Sequence, residues 1–239
     1  MNQINKLKEN TICIICAKSN SEGVSSKNIK KINGYPLINY AFKKIKTNNF
    51  KFICVSTQSD KVVKLAKENN IKVFFKRSEV LCKKNVSKLL VWKDAIRKSE
   101  KYFKKKFKYM IDIEVTNPLI NGNDVSKFIK SFYKKKNKYD GQFCITDAKK
   151  NPYFNLMEKK KSKFFVSKKT NAGLITARQN APKVYEHVAG LYYFNCNYIL
   201  KSKNLFQGKI CGFKVPMLKS FDIDTNEDFK LVEILLKVK

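Results

Sequence analysis

No stretch of this 239-residue chain reaches the roughly 18 unbroken apolar residues that a membrane span requires. Met1 to Asn10 likewise holds none of the apolar core of a secretory leader, so a soluble, cytoplasmic protein is expected. Acidic residues are scarce, 19 against 51 basic ones, for a formal charge of +32. Such an excess ordinarily points to nucleic acid or an anionic membrane. Arginine is scarcer still: Arg77, Arg97 and Arg178 are the only three, and the other 48 cations are Lys. Proteins that grip phosphates favour the planar, bidentate guanidinium, whereas excess Lys together with 24 Asn has the look of an AT-rich coding bias. The charge by itself therefore names no partner, and the positions that stayed Arg become the interesting ones.

A small disulfide scaffold is ruled out. Seven cysteines, an odd number, are scattered through apolar segments and read as buried thiols. Cys13 and Cys16 form a C-x-x-C, but three steps along the apolar run Thr11 to Ala17 put them on opposite faces of a strand, where they cannot share a metal. What the chain has in quantity is apolar material, 43% of residues, enough for the core of one large domain or two small ones.

Short β-type runs alternate with helical patterns through the first half. Strands are expected at 11–17, 52–56, 72–75, 108–115 and 141–146, and helices at 36–46, 59–69, 87–102 and 123–136. Pro36 should occupy a first helical turn, and Ser59 or Asp60 should cap the next helix. This alternation predicts an α/β fold with a mostly parallel sheet covered on both faces. From 149 to 185 the pattern loosens into Lys-rich turns, read as an arm or subdomain of a single domain spanning 1–239. An aromatic strand at 187–195, a turn or short helix at 197–203, a strand at 211–215 and a helix at 226–238 complete the chain. Basic runs at 101–108, 133–139 and 158–169 carry interleaved aromatics. No nucleic-acid-binding motif accompanies them, so they read as solvated lysines with the rings turned into the core.

In an open α/β sheet, ligands bind beyond the carboxyl ends of the strands. The loop there, Ala17-Lys18-Ser19-Asn20-Ser21-Glu22-Gly23-Val24-Ser25-Ser26-Lys27-Asn28, has neither a G-x-G-x-x-G nor a Walker pattern. Its cations, hydroxyls and amides suit a triphosphate, and equally a solvated basic loop. In Phe221-Asp222-Ile223-Asp224-Thr225, residues two apart on an extended backbone point one way. Two such carboxylates can share Mg²⁺ with phosphate oxygens. The competing reading has Asp224 capping the terminal helix, with Glu227 completing a capping box. Lone His187 sits on an aromatic strand, where packing is the ordinary role.

These segments occur in order with Lys30-Lys31-Ile32-Asn33-Gly34-Tyr35-Pro36, Val55-Ser56-Thr57, Arg77-Ser78-Glu79, Thr116-Asn117-Pro118-Leu119 and Arg178-Gln179-Asn180-Ala181-Pro182. Together they resemble the acylneuraminate cytidylyltransferases, the CMP-sialic acid synthetases and their relatives, over nearly the whole chain. The resemblance implies a Rossmann-like nucleotidyltransferase, a homodimer with a projecting arm, that joins CTP to the anomeric hydroxyl of a nine-carbon or eight-carbon ulosonic acid and releases pyrophosphate. It further implies that Ala17, Lys18, Ser21, Lys27 and Asn28 bind the nucleotide, Arg77 lies toward the cytosine, and Asp222 and Asp224 hold a catalytic Mg²⁺, with Lys27 sharing in catalysis. Arg178, Gln179 and His187 would face the sugar acid, an Arg there suiting its carboxylate. Membrane and nucleic-acid partners are not expected. The chain departs from the family pattern at Lys18, where Arg is usual, at Glu22, where Lys is usual, at Ser25 for Pro, at Lys84 near a usual Asp, and at Val188 for Asn.

Overall fold

The computed structural model describes residues 3–19, 23–170, 173 and 175–238. Helix α1 (Gln3–Glu9) leads into strand β1 (Thr11–Cys16), whose alternate residues serve two cores. Cys13 and Ile15 face one hydrophobic cluster, and Ile12 and Ile14 face another. Cys16 packs against that second cluster, away from Cys13, as the strand period requires. Burial pushes the Cys16 and Cys54 thiols up to about 12, consistent with inert core residues.

After β1 come a two-stranded ribbon, β2 (Lys31–Ile32) and β3 (Tyr35–Pro36), then α2 (Leu37–Thr47), β4 (Ile53–Ser56) and α3 (Asp60–Glu68). Asn33 and Gly34, both at positive φ, make the ribbon's turn, the Asn-Gly pattern of a tight hairpin. Pro36 ends the ribbon and stands one residue before α2 rather than in its first turn. Ser59 caps α3 by accepting from the Val62 N–H, 3.4 Å. The strand expected at 72–75 is absent: 71–78 runs extended without a ladder, and its course returns Arg77 to the end of β4, where the Arg77 N–H donates to the Thr57 carbonyl, 2.8 Å.

Next follow α4 (Lys88–Phe103), β5 (Tyr109–Ile113), α5 (Gly122–Lys135) and β6 (Gly141–Asp147). Residues 149–185 contain a hairpin, β7 (Met157–Lys160) with β8 (Lys163–Val166), exposed along almost its whole length. The chain closes with β9 (Tyr185–Asn195), α6 (Cys196–Lys201), β10 (Ile210–Lys214) and α7 (Asn226–Lys237). The central sheet runs β10-β6-β9-β5-β1-β4. All neighbours are parallel except β9, which enters antiparallel between β5 and β6. Helices α2, α3, α5 and α7 cover one face, while α4 and α6 cover the other.

In the first two basic runs Phe107 is buried and Phe103 and Tyr133 pack against the core, whereas Tyr102 and Tyr139 are 41% and 36% exposed. The third run departs from expectation: Phe164 and Phe165 are 67% and 45% exposed, because a two-stranded ribbon has no second layer to bury them.

Candidate active site

The parallel strands β1, β4 and β5 end at one edge, and the loops that follow them enclose a cavity of about 240 Å³. Five cations line it: Lys18, Lys27, Arg77, Lys83 and Lys88. Among the described residues no carboxylate does, and the five cations suit the cavity to an anion. Asn28, Cys16 and Thr116 complete the polar wall. Lys18 and Asn28 also line a second cavity of about 360 Å³, bounded by Ser59 and Asp60 at the start of α3.

Each cation is held differently. Arg77 is buried, its Nε donating to the Ser56 Oγ (2.9 Å) and a terminal nitrogen to the Ser56 carbonyl. Asn28 is buried too, and its amide donates to the Lys18 carbonyl, 2.8 Å, which closes the loop's two ends together. Ala17 is fully buried, and its N–H donates to the Ser56 carbonyl at 3.0 Å, continuing the β1–β4 ladder up to the loop. Ser21 and Glu22 lie outside the described residues.

The carboxylate segment meets this loop directly. The Ile223 N–H donates to the Thr116 carbonyl, 2.9 Å, fixing 221–225 beside the end of β5. Asn117 locks the same corner, its amide donating to the Lys219 carbonyl (2.9 Å) and its oxygen accepting from the Ile120 N–H. Gly23 lies so near that a Cβ there would fall 1.9 Å from the Asp224 carbonyl oxygen. The Lys27 ammonium donates to Asp224 Oδ1 at 3.0 Å and to the Ile223 carbonyl. Burial, and then the neighbouring Asp224 charge, raise Asp222 to about 6.

Asp224 does not cap the terminal helix. Thr225 does, accepting from the Asp228 N–H (3.1 Å), while Asp228 returns to the Thr225 N–H. The capping box is therefore Thr225 with Asp228, one residue later than Asp224 with Glu227, and Asp224 is left free of that duty.

Of the sugar-side candidates, His187 stands on β9 against Tyr192, ring centroids 5.4 Å apart, with its pKa lowered by the packing around it and by Lys88. Arg178 and Gln179 are exposed on a short turn, where an Arg178 terminal nitrogen donates to the Lys149 carbonyl, 2.8 Å. Neither lines the cation-rich cavity. Val188 is buried and pairs with Cys144 in the sheet. Lys88, Lys83 and Thr116 complete the cavity although sequence reasoning gave them no role. For Lys88 a signal existed: Asp112 and Glu114 are two carboxylates inside an apolar run, and buried charges demand a partner.

A family model described as cytidylyltransferase matches residues 12–238. This chain belongs to the cytidylyltransferase family. It is 38% identical over 95% of both chains to a Campylobacter coli protein named post-translational flagellin modification protein B. Identity and coverage are the same with a Campylobacter jejuni protein named CMP-N,N'-diacetyllegionaminic acid synthase. A pseudaminic acid cytidylyltransferase of Campylobacter jejuni is 25% identical over 95% of this chain. Among solved structures, a CMP:2-keto-3-deoxy-manno-octonic acid synthetase complexed with CTP superposes over 95% of this chain and 98% of its own, with a TM-score of 0.65 at 13% identity. The synthetase likeness bears on the cytidylyltransferase fold alone. The cytidylyltransferase reading accounts for where the cations gather: nucleotidyl transfer needs positioning and charge neutralisation at phosphates more than a covalent protein intermediate.

Proposed function

We propose that this enzyme transfers CMP from CTP to the anomeric hydroxyl of a nine-carbon ulosonic acid of the diacetyllegionaminic kind, releasing pyrophosphate. The observation that carries this reading is the five-cation cavity at the sheet's carboxyl edge, joined by Lys27 to the Asp222–Asp224 pair. The choice of sugar class is supported by 38% identity to a named CMP-N,N'-diacetyllegionaminic acid synthase, against 25% to a pseudaminic acid enzyme.

In this reaction the anomeric oxygen forms a bond to the α-phosphorus, the bond to the bridging oxygen of the β-phosphate breaks, and the hydroxyl proton departs. Lys18 and Lys27 neutralise the triphosphate, Asn28 holds the loop against it, and Arg77, fixed on Ser56, presents its remaining N–H groups. Asp222 and Asp224 fit a magnesium ion, since two neighbouring carboxylates that also face substrate phosphates are its usual protein ligands. When bound, the ion offsets charge on the phosphates and the departing pyrophosphate. Lys27 pairs with Asp224 at 3.0 Å, which joins the loop after β1 to the segment that would hold the ion. His187, beside Tyr192, serves the sugar side.

The test is pyrophosphate release with CTP against diacetyllegionaminic, pseudaminic, N-acetylneuraminic and Kdo-type acids. Turnover is expected to be fastest with the diacetyllegionaminic acid. Preference for another acid by tenfold or more overturns the sugar class, and release with UTP but not CTP overturns the nucleotide.

A further inference from the structure

Asp112 lies in β5 with no exposed surface, and neither of its carboxylate oxygens takes part in a hydrogen bond. Its counter-charge is Lys88, the first residue of α4, whose Nζ stands 2.6 Å from Oδ2 as an ion pair outside hydrogen-bond alignment. The same ammonium donates to Glu114, two residues further along the strand direction. Lys88 rests over the Tyr192 and Trp92 rings, 5.1 and 5.5 Å from their centroids, and its side chain keeps 32% exposure. That exposed part lines the cation-rich cavity.

Two carboxylates thus hold one ammonium at a cavity wall. A buried ion pair is a poor device for stability, because apolar side chains would fill the same seat at least as well. It is a good device for aiming a cation. Lysine carries three N–H donors; Glu114 takes one and Asp112 Oδ2 stands 2.6 Å from the same nitrogen, which leaves one donor for a ligand in the cavity. Lys18 and Lys27 approach the cavity from the loop after β1, whereas Lys88 arrives from the α4 side, next to Tyr192 and His187.

We propose that Lys88 is a further substrate-binding residue, oriented by Asp112 and Glu114 to donate to an anionic oxygen of the reactants. The proposal rests on the reaction inferred above. Phosphate of the nucleotide and carboxylate of the sugar acid offer the same chemistry, and binding measurements tell them apart.

The experiment compares the wild type with Lys88→Met, with Lys88→Met/Asp112→Asn, and with Lys88→Arg, reading melting temperature by circular dichroism and affinity for CTP and for the sugar acid by calorimetry. Lys88→Met should melt lower, and the double variant should recover much of that loss because the fully buried carboxylate is neutralised and only Glu114, 14% exposed, keeps an unpaired charge. In the double variant, affinity for one reactant should still fall at least tenfold while the other changes less than twofold. Loss for CTP identifies a phosphate oxygen, and loss for the sugar acid identifies the carboxylate. Lys88→Arg keeps the ion pair and the melting temperature but points its donors differently, so it should lose about tenfold for the same reactant. Wild-type affinity for both reactants in either folded variant, or an equal loss for both, overturns the proposal in favour of a structural role. If the wild type releases no pyrophosphate with any acid, the reaction reading fails on its own, and unchanged CTP affinity then overturns the Lys88 proposal as well.

Discussion

Two Lys–Asp pairs stand at the same edge of the sheet, and they differ in almost everything but composition. Lys27 with Asp224 joins two loop segments, and the carboxylate is 72% exposed. Lys88 with Asp112 joins a helix to a strand, and the carboxylate has no exposure at all. A pair whose carboxylate faces water contributes little net stability because water competes for that partner, even though the Lys27 side chain is only 12% exposed. A buried pair is costly to break because the survivor is left as an uncompensated charge. The first arrangement suits a carboxylate that must change partners during a reaction, and the second suits a cation that must not move.

Breaking the buried pair should have the largest effect. Lys88→Met is expected to lose about 3–5 kcal/mol of folding stability, read by urea denaturation. Lys27→Met should lose less than about 1 kcal/mol; equal losses from the two variants would erase the distinction.

Asp224→Asn comes next, and acts on turnover rather than on the fold. Because Thr225 caps α7, its melting temperature should stay near wild type, while pyrophosphate release falls by about a hundredfold or more. Thr225→Ala should do the reverse, costing about 1 kcal/mol of stability with activity largely kept. Full activity in Asp224→Asn at saturating Mg²⁺ and CTP would remove Asp224 from the metal site.

A smaller effect is expected at Arg77, whose guanidinium grips Ser56 through two nitrogens. Lysine cannot reproduce that fork, so Arg77→Lys should raise the KM for CTP about tenfold. Arg97, exposed on α4, escaped the chain's lysine bias as Arg77 did but lines no part of the cavity. Arg97→Lys should therefore leave steady-state kinetics unchanged.

The pH dependence of Asp222 sharpens the comparison further. Its carboxyl is raised from 3.8 to about 6, by burial first and by Asp224 second. Such a group keeps its proton to higher pH in the folded state than in the unfolded chain. The stability it contributes is full below about pH 4 and is lost as pH rises through 6. Without divalent ions, the melting temperature of the wild type relative to Asp222→Asn should fall across that window, and Mn²⁺ affinity should rise across it. A flat difference between the two proteins would mean that Asp222 is not held as described.

Much of this was legible beforehand because it depends on local spacing. The alternation of strands and helices and the loop after β1 both follow from short-range periodicity, and the nearness of Asp222 and Asp224 from their spacing in the chain. The strand at 72–75 was misread because β-type composition says nothing about a ladder partner; β4 pairs with β1 and is left as an edge. The cap of α7 was misread by one residue because Asp224 with Glu227 and Thr225 with Asp228 satisfy the same capping pattern. The structure decides between them, since the Thr225 side chain accepts from the Asp228 N–H and the helix begins one residue later.

By itself, the chain's sequence determined the two-faced strands, the helix starts and the chemical types gathered beyond the first strand, since each is set by neighbours within a few residues. Only the tertiary structure decided that β9 enters antiparallel between β5 and β6, that Arg77 is anchored on Ser56, and that Lys27 closes onto Asp224 across 197 positions. It also decided that Lys88 is the partner of Asp112. The physical reason is common to all four. A strand's neighbours and a buried charge's counter-ion are chosen by which distant surfaces must come together to exclude water, and no local pattern encodes that choice.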